Sequence, residues 1–238
     1  DVLEELGVDV ECDPEVVHRS IEKAGIGIFN GMSPKVHPRA LGRILSQISF
    51  GSILNISASL ANPALPKYAV RGVYSRELLK SAPEVMCEIG FKRALIVHGL
   101  AEDGINGMDE ASTLNETLVA ELKAGGSIEH YSFFPEDLGI RRADREDLLT
   151  FDTVTEGAVG LLKILKGEDD GPKSDVVCLN SALILYLMDI ATTIKEGYQQ
   201  SKNILASGQA LEKLKAWVTH QNTNPEVGLQ KLEILLVQ

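Results

Sequence analysis

The sequence predicts an α/β fold: a mixed, largely parallel central sheet flanked by helices, with a short helical insertion belonging to a separate helical lobe. Three observations carry this expectation. The apolar pattern switches repeatedly between helical and strand periods along the 238 residues. Arg93-Ala94-Leu95-Ile96-Val97-His98 is a near-continuous apolar run of the kind buried on both faces. Gly125-Gly126 separates two alternating segments, which predicts an antiparallel hairpin inserted into the strand-helix rhythm.

The elements follow in order. Asp13 is a good N-cap, Pro14 suits the first helical position, and Val16, Val17, Ile21 and Ala24 form a stripe that Gly25 ends. Ile26 to Asn30 reads as a short strand. A second helix runs from His37, with Leu41, Ile44, Leu45 and Ile48 at i, i+3, i+4, i+7 spacing. Ser49 to Pro66 is rich in turn formers and reads as loop. Tyr68 to Tyr74 is a predicted strand and Glu77 to Ile89 a predicted helix. After the apolar strand a polar loop spans Gly99 to Ser112, followed by the hairpin strands Thr117 to Leu122 and Ile128 to Phe133. Thr153 to Lys166 is a helix stopped by Gly167. Val176 to Val218 reads as consecutive helices broken at Gly197 and Gly208, and a short helix around Glu226 to Leu236 closes the chain. The expected domain division places the start of the α/β domain at 1–30 and a helical insertion at 31–66. The main α/β domain is expected at 67–219 and a tail at 220–238.

Composition narrows the function classes. Lys plus Arg number 23 against 34 Asp plus Glu, a net charge of -11. Such a chain repels phosphate backbones, so nucleic acid is not an expected partner. An anionic small molecule is still within reach where a cation bridges it to the protein. Cys12, Cys87 and Cys178 have no CxxC spacing, which argues against a disulfide framework or a zinc site. Ala182 to Met188 is the longest clearly apolar stretch and is far too short to cross a bilayer. The expectation is a cytoplasmic globular protein with no membrane partner.

The sharpest chemical feature is Asp109-Glu110, adjacent carboxylates on a glycine-bearing loop just past a predicted central strand. Open α/β sheets bind ligands at that edge. Two neighbouring carboxylates suit Mg²⁺, which keeps several waters and bridges to substrate phosphates. The bland alternative is solvated charge on a loop. His98 ends the same strand as a weaker candidate, against the plainer reading of a hydrogen-bonded strand-end residue. His37-Pro38 opens a helix, where free backbone N–H groups favour an anion; a purely structural helix start fits equally. Asn62-Pro63 reads first as turn chemistry. No GxxxxGK[ST], GxGxxG or GxSxG motif occurs, so no phosphate-cradling glycine loop or nucleophile elbow is expected.

Taken together, Leu6-Gly7, Ser33-Pro34, His37-Pro38, Leu60-Ala61-Asn62-Pro63-Ala64 and Gly72-Val73-Tyr74 form an ordered string with several later blocks. Those are Arg93 to Gly99, Gly107-Met108-Asp109-Glu110-Ala111-Ser112, Phe134 to Gly139, Leu179-Asn180-Ser181-Ala182 and Lys195-Glu196-Gly197. The string resembles the anthranilate phosphoribosyltransferase family up to about Val218. The resemblance implies a Mg²⁺-dependent transfer of ribose phosphate from phosphoribosyl pyrophosphate (PRPP) to the amine of anthranilate, by a protein that is usually a homodimer. It implies that Asp109 and Glu110 hold the metal on the pyrophosphate. His37 and Pro38 match the segment bordering the anthranilate site. The family carries a carboxylate-binding arginine where an ungapped count reaches Gln47. Arg43, one turn earlier on the same helix face, is therefore assigned to that role, and Asn62 joins the substrate-binding set. No catalytic acid, base or nucleophile is assigned.

The family's GTGGD-type PRPP loop precedes the point where this sequence starts, so the chain is expected to be a carboxyl-terminal part that is silent alone. The alternative reading is a non-catalytic paralogue binding a phosphorylated ligand or partner protein, favoured by Gln47 and Ala58-Ser59. A related nucleoside phosphorylase ranks last.

Overall fold

The computed structural model describes residues 1–31, 33, 35, 57, 60, 62 and 64–237. Two compact units emerge: Asp1–Ala61 with Thr150–Glu168 and Ser207–Gln238, and Asn62–Leu149 with Asp169–Ala206. These units cut across a linear division at residues 30, 66 and 219, because the two ends of the chain fold together.

In the first unit, helices α1 (Val2–Glu5) and α2 (Pro14–Ala24) come from the amino-terminal stretch. Gly25 ends α2 in the left-handed region, φ 75°, which costs little without a Cβ. The buried face of α2 is Val17, Ser20 and Ala24, whereas Ile21 of the expected stripe is 46% exposed. The predicted strand at Ile26 to Asn30 does not form among the described residues. Its backbone is bonded instead by a side chain: Gln221 Oε1 accepts from the Ile28 N–H at 2.8 Å, and Gln221 Nε2 donates to the Ile28 carbonyl at 2.9 Å.

A sequence-predicted helix, Val154–Leu165, is capped as its sequence demands. The Thr153 hydroxyl accepts from the Glu156 N–H, and the Glu156 carboxylate accepts from the Thr153 N–H. The remaining helices among the described residues of this unit are Gln209–His220 and Pro225–Leu236. Leu232 and Leu235 of the terminal helix share one core with Leu6, Val8, Ala158, Leu162, Leu214 and Val218. Residues 220–237 are thus built into the unit, because their apolar stripe has a core to enter.

The second unit holds the sheet. Its strands are β1 (Tyr68–Gly72), β2 (Arg93–Leu100), β3 (Gly107–Met108), β4 (Thr117–Leu122) and β5 (Ile128–Phe133). The order is β1-β2-β4-β5, with β3 paired to the end of β2. Helix α3 (Leu78–Ile89) crosses over between β1 and β2, which are parallel, with Tyr68 opposite Arg93 and Gly72 opposite Val97. The mixed sheet flanked by helices is as expected, but its parallel share is smaller. Among the described pairings β1–β2 alone is parallel; β2–β3, β2–β4 and β4–β5 are antiparallel. The reason is connectivity. A parallel pair needs a long crossover, and α3 supplies the one available in this stretch. The chain leaves β2 through a loop with no helix and returns antiparallel as β4. Gly125 and Gly126, at φ 98° and 91°, then turn it into β5.

Strand β2 is central. Ala94, Leu95, Ile96 and Val97 are each at most 1% exposed, so both faces of the strand are covered. Helix α3 packs against β2 and β4, and the helix Pro172–Leu187, here α5 after α4 (Val154–Leu165), packs against β1 and β2. The next helix, α6 (Ile194–Ala206), runs straight through Gly197. The expected break there is absent; the chain breaks instead at Asp189, φ 55°, which an Asp tolerates. Gly197 is used for close packing, since a Cβ there would lie 2.8 Å from the Ala182 carbonyl oxygen. Among the described residues no helix is long and apolar enough to cross a membrane.

Candidate functional site

The candidate site lies at the end of β2. Beyond Leu100 the chain makes a tight excursion over residues 101–106, stitched by Asp103. Its carboxylate accepts from the N–H groups of Ile105 and Asn106, both at 2.9 Å, and from the Asn106 amide at 2.6 Å. Those bonds lower the Asp103 pKa, the backbone N–H of Ile105 most of all. The chain then pairs back as β3, Gly99 opposite Met108, and delivers Asp109 and Glu110 at the strand end.

The backbone of this acidic pair is fixed from several sides. A Cβ on Gly72 of β1 would lie 1.5 Å from the Asp109 carbonyl oxygen, and one on Gly99 would lie 2.5 Å from that of Glu110. Only glycine admits so close an approach. On the carboxyl side Ser112 is buried. Its N–H donates to the Thr117 hydroxyl at 2.9 Å and its own hydroxyl donates to the Leu100 carbonyl at 2.7 Å. Between these anchors the Ala111 N–H donates to Asn180 Oδ1 at 3.0 Å, and Asn180 Nδ2 donates back to the Ala111 carbonyl at 3.3 Å.

The side chains of Asp109 and Glu110 are exposed, and neither has a hydrogen-bond or ion-pair partner among the described residues. The Glu110 pKa is raised, first by partial desolvation against the loop and second by the neighbouring Asp109 charge. Uncompensated adjacent carboxylates on a fixed backbone are a donor set that fits Mg²⁺. That ion takes one or two carboxylates and fills its octahedron with water and substrate phosphate oxygens. Among the described residues no group of three or more His, Cys, Asp or Glu could hold a metal ion.

His98 takes its plainer role. It is 4% exposed, and its Nδ1 donates to the Val73 carbonyl at 2.8 Å. Its Nε2 faces Gly107, where a Cβ would lie 2.2 Å away, so the ring supports the loop from below. Asn62 forms a turn: its side-chain oxygen accepts from the Ala64 N–H at 2.9 Å and its carbonyl from Leu65 at 3.0 Å. His37, Pro38 and Arg43, with Gln47 and the helix expected around them, lie outside the described residues.

Two features escaped the sequence reading. One is the Asn180 bond to Ala111, for which an Asn inside an apolar helix was the only local signal. The other is Glu121, 0% exposed at the far end of β4 from the acidic pair. Lys123 reaches it at 2.9 Å, Arg93 at 3.7 Å, and the hydroxyls of Tyr131 and Tyr186 donate to it at 3.1 and 3.3 Å. This cluster is internally satisfied and presents no open valence, as a buried charge must be.

Fold and site together define an α/β domain that offers an open carboxylate pair at the carboxyl end of its central strand. The chain belongs to the glycosyl transferase family, a/b domain, which it matches over residues 1–211. It is 39% identical over 223 residues to the anthranilate phosphoribosyltransferase of Thermoanaerobacter sp. (strain X514), covering 93% of this chain and 63% of that protein. The corresponding enzyme of Methanococcoides burtonii is 38% identical over 227 residues, covering 94% of this chain and 61% of that protein. Among solved structures, anthranilate phosphoribosyltransferase from Thermus thermophilus superposes with a TM-score of 0.77 at 33% identity, covering 92% of this chain and 63% of its own. That of Saccharomyces cerevisiae, in complex with PRPP and Mg, shares the fold with a TM-score of 0.78 at 20% identity, covering 92% and 61%. The chain therefore spans less than two thirds of the length of these relatives.

Proposed function

We propose that the protein carrying this chain transfers ribose phosphate from PRPP to the amine of anthranilate, releasing pyrophosphate, and that this chain supplies its metal-holding carboxylates. The observation that carries the reading is the uncompensated Asp109-Glu110 pair on a backbone fixed at the end of β2. The relatives named above support it, as does the yeast structure, which contains PRPP and Mg.

In this reaction the bond from ribose C1 to the pyrophosphate oxygen breaks and a bond from C1 to the anthranilate nitrogen forms, with loss of one N–H proton. The amine is weakly basic and largely unprotonated at neutral pH, so the difficult event is departure of the pyrophosphate. Asp109 and Glu110 would hold Mg²⁺, which when bound neutralises charge on that leaving group. The tethered backbone fixes where both carboxylates start from, so little reorganisation accompanies binding. Acceptor recognition is assigned to His37, Pro38, Arg43 and Asn62 on the sequence match. The homodimer and the cytoplasmic location expected from the sequence belong to the same reading.

Anthranilate fluorescence provides the test. With PRPP and Mg²⁺ present, the protein carrying this chain is expected to consume anthranilate. Replacing Asp109→Asn together with Glu110→Gln is expected to slow that consumption about 100-fold or more, the equivalent of losing several kcal/mol of charge stabilisation. A double variant as fast as the parent overturns the assignment.

A further inference from the structure

Asn180 sits in the interior of α5, where asparagine is a poor helix former. Its carboxamide is nonetheless committed at three points. The oxygen accepts the Ala111 N–H at 3.0 Å. One amide hydrogen serves the Ala111 carbonyl at 3.3 Å, and the other the Val176 carbonyl, one turn back on the same helix, at 3.0 Å. The last bond removes the freedom of the amide to rotate, so its donor and acceptor edges face Ala111 in a fixed sense. Both backbone groups of Ala111 are taken by one rigid side chain. Ala111 itself is 0% exposed and follows Glu110 directly.

The loop has other anchors, but among the described residues none of them bonds the Ala111 N–H or carbonyl. Ser112 ties the chain to β2 and Thr117, and β3 ties it at Met108. Without Asn180 the Ala111–Ser112 peptide would keep the Ser112 N–H bond to Thr117, but the Glu110–Ala111 peptide would lose the bond that its N–H makes. Rotation there swings the Glu110 carboxylate away from that of Asp109. Partners that orient a ligand in this way are worth about 10- to 100-fold in metal affinity.

We propose that Asn180 is a positioning residue for the acidic pair: by bonding both backbone groups of Ala111 from α5, it holds Asp109 and Glu110 in the arrangement that takes a divalent cation. The inference rests on the metal reading of that pair, and the experiment separates the two. The probe is Mn²⁺ with PRPP, followed by electron paramagnetic resonance on the protein carrying this chain in the absence of acceptor, alongside amide hydrogen exchange at Ala111.

Asn180→Ala, which favours the helix but leaves the buried Ala111 N–H and carbonyl without their partner, is expected to stay folded with an unfolding midpoint lowered by less than that of Gln221→Ala. Its Mn²⁺ affinity should fall about 10- to 100-fold, and the Ala111 amide should exchange faster. Asn180→Asp preserves the size and the acceptor but sets a carboxylate oxygen against the Ala111 and Val176 carbonyls; its affinity should fall at least as far. An Asn180→Ala chain that binds Mn²⁺ as the parent does overturns the positioning role. Mn²⁺ uptake that is absent in the parent, or that survives Asp109→Asn with Glu110→Gln, overturns the metal reading instead. In that event hydrogen exchange still decides the contact: an Ala111 amide unprotected in the parent, or equally protected in Asn180→Ala, refutes it.

Discussion

In the first unit Gln221 bonds both backbone groups of Ile28; in the second Asn180 bonds both backbone groups of Ala111. The local chemistry is the same, a carboxamide standing in for a neighbouring strand. The surroundings differ. Gln221 is 0% exposed, and its amide also reaches the Asp9 carbonyl while its oxygen accepts from the Trp217 indole. All four of its hydrogen-bonding positions are filled. Asn180 is half-buried, makes three bonds, and holds the residue that directly follows two exposed carboxylates with no cationic partner among the described residues. One carboxamide closes a core. The other holds open a charged edge.

This contrast sets the order of expected effects on the chain. Gln221→Ala should be the most damaging to stability. It leaves the Ile28 N–H and carbonyl and the Trp217 N–H without their partner inside a packed region, a loss of about 3 kcal/mol. Urea unfolding reads it directly, and Mn²⁺ affinity of the folded fraction should be unchanged. A stability loss smaller than that of Asn180→Ala would break the comparison.

Gly72→Ala should fall between the two regions in character. Its Cβ overlaps the Asp109 carbonyl, so the acidic loop must lift, costing about 2 kcal/mol. Unlike Gln221→Ala, it should also weaken Mn²⁺ binding, by about tenfold. A stability loss with undiminished Mn²⁺ binding would show that the loop moves without disturbing the pair.

Glu110→Gln should have the smallest effect and the opposite sign. The Glu110 pKa is raised, so the folded chain holds that proton more tightly than the unfolded chain does. Its stability contribution is full below the ordinary glutamate value of 4.5 and is lost as pH rises through the raised value. At neutral pH and without metal, Glu110→Gln should therefore be more stable than the parent. Solvent screening limits the gain to about 0.2–0.5 kcal/mol. The difference should vanish as the pH falls below that window, which paired urea titrations would show. A variant less stable than the parent at neutral pH would reverse the sign argued here.

The acidic pair was legible in the sequence because it is local. Two adjacent carboxylates after an apolar strand need no tertiary information to be noticed. What holds them was not legible. Gly72 precedes Asp109 by 37 positions and Asn180 follows Ala111 by 69, and neither carries a periodic signal. The same holds for the failed strand at Ile26 to Asn30. Its apolar run reads as a short strand, but the partner its backbone finds is a glutamine side chain 193 residues away.

By itself, the sequence determined the elements whose cause is local: the hairpin at Gly125-Gly126, the capped start of Val154–Leu165, the buried run of β2 and the charge at its end. Periodicity, turn chemistry and capping act over a few residues, so they survive in one dimension. Tertiary structure decided the rest. It made β4 antiparallel to β2, since no crossover helix intervenes, and it let α6 run through Gly197, since a close approach to Ala182 outweighs a glycine's poor helix propensity. It also turned two mid-chain amides into backbone partners, one buried and saturated, the other set beside open charge. Those outcomes depend on which distant groups must be satisfied, and only the folded chain brings them within reach.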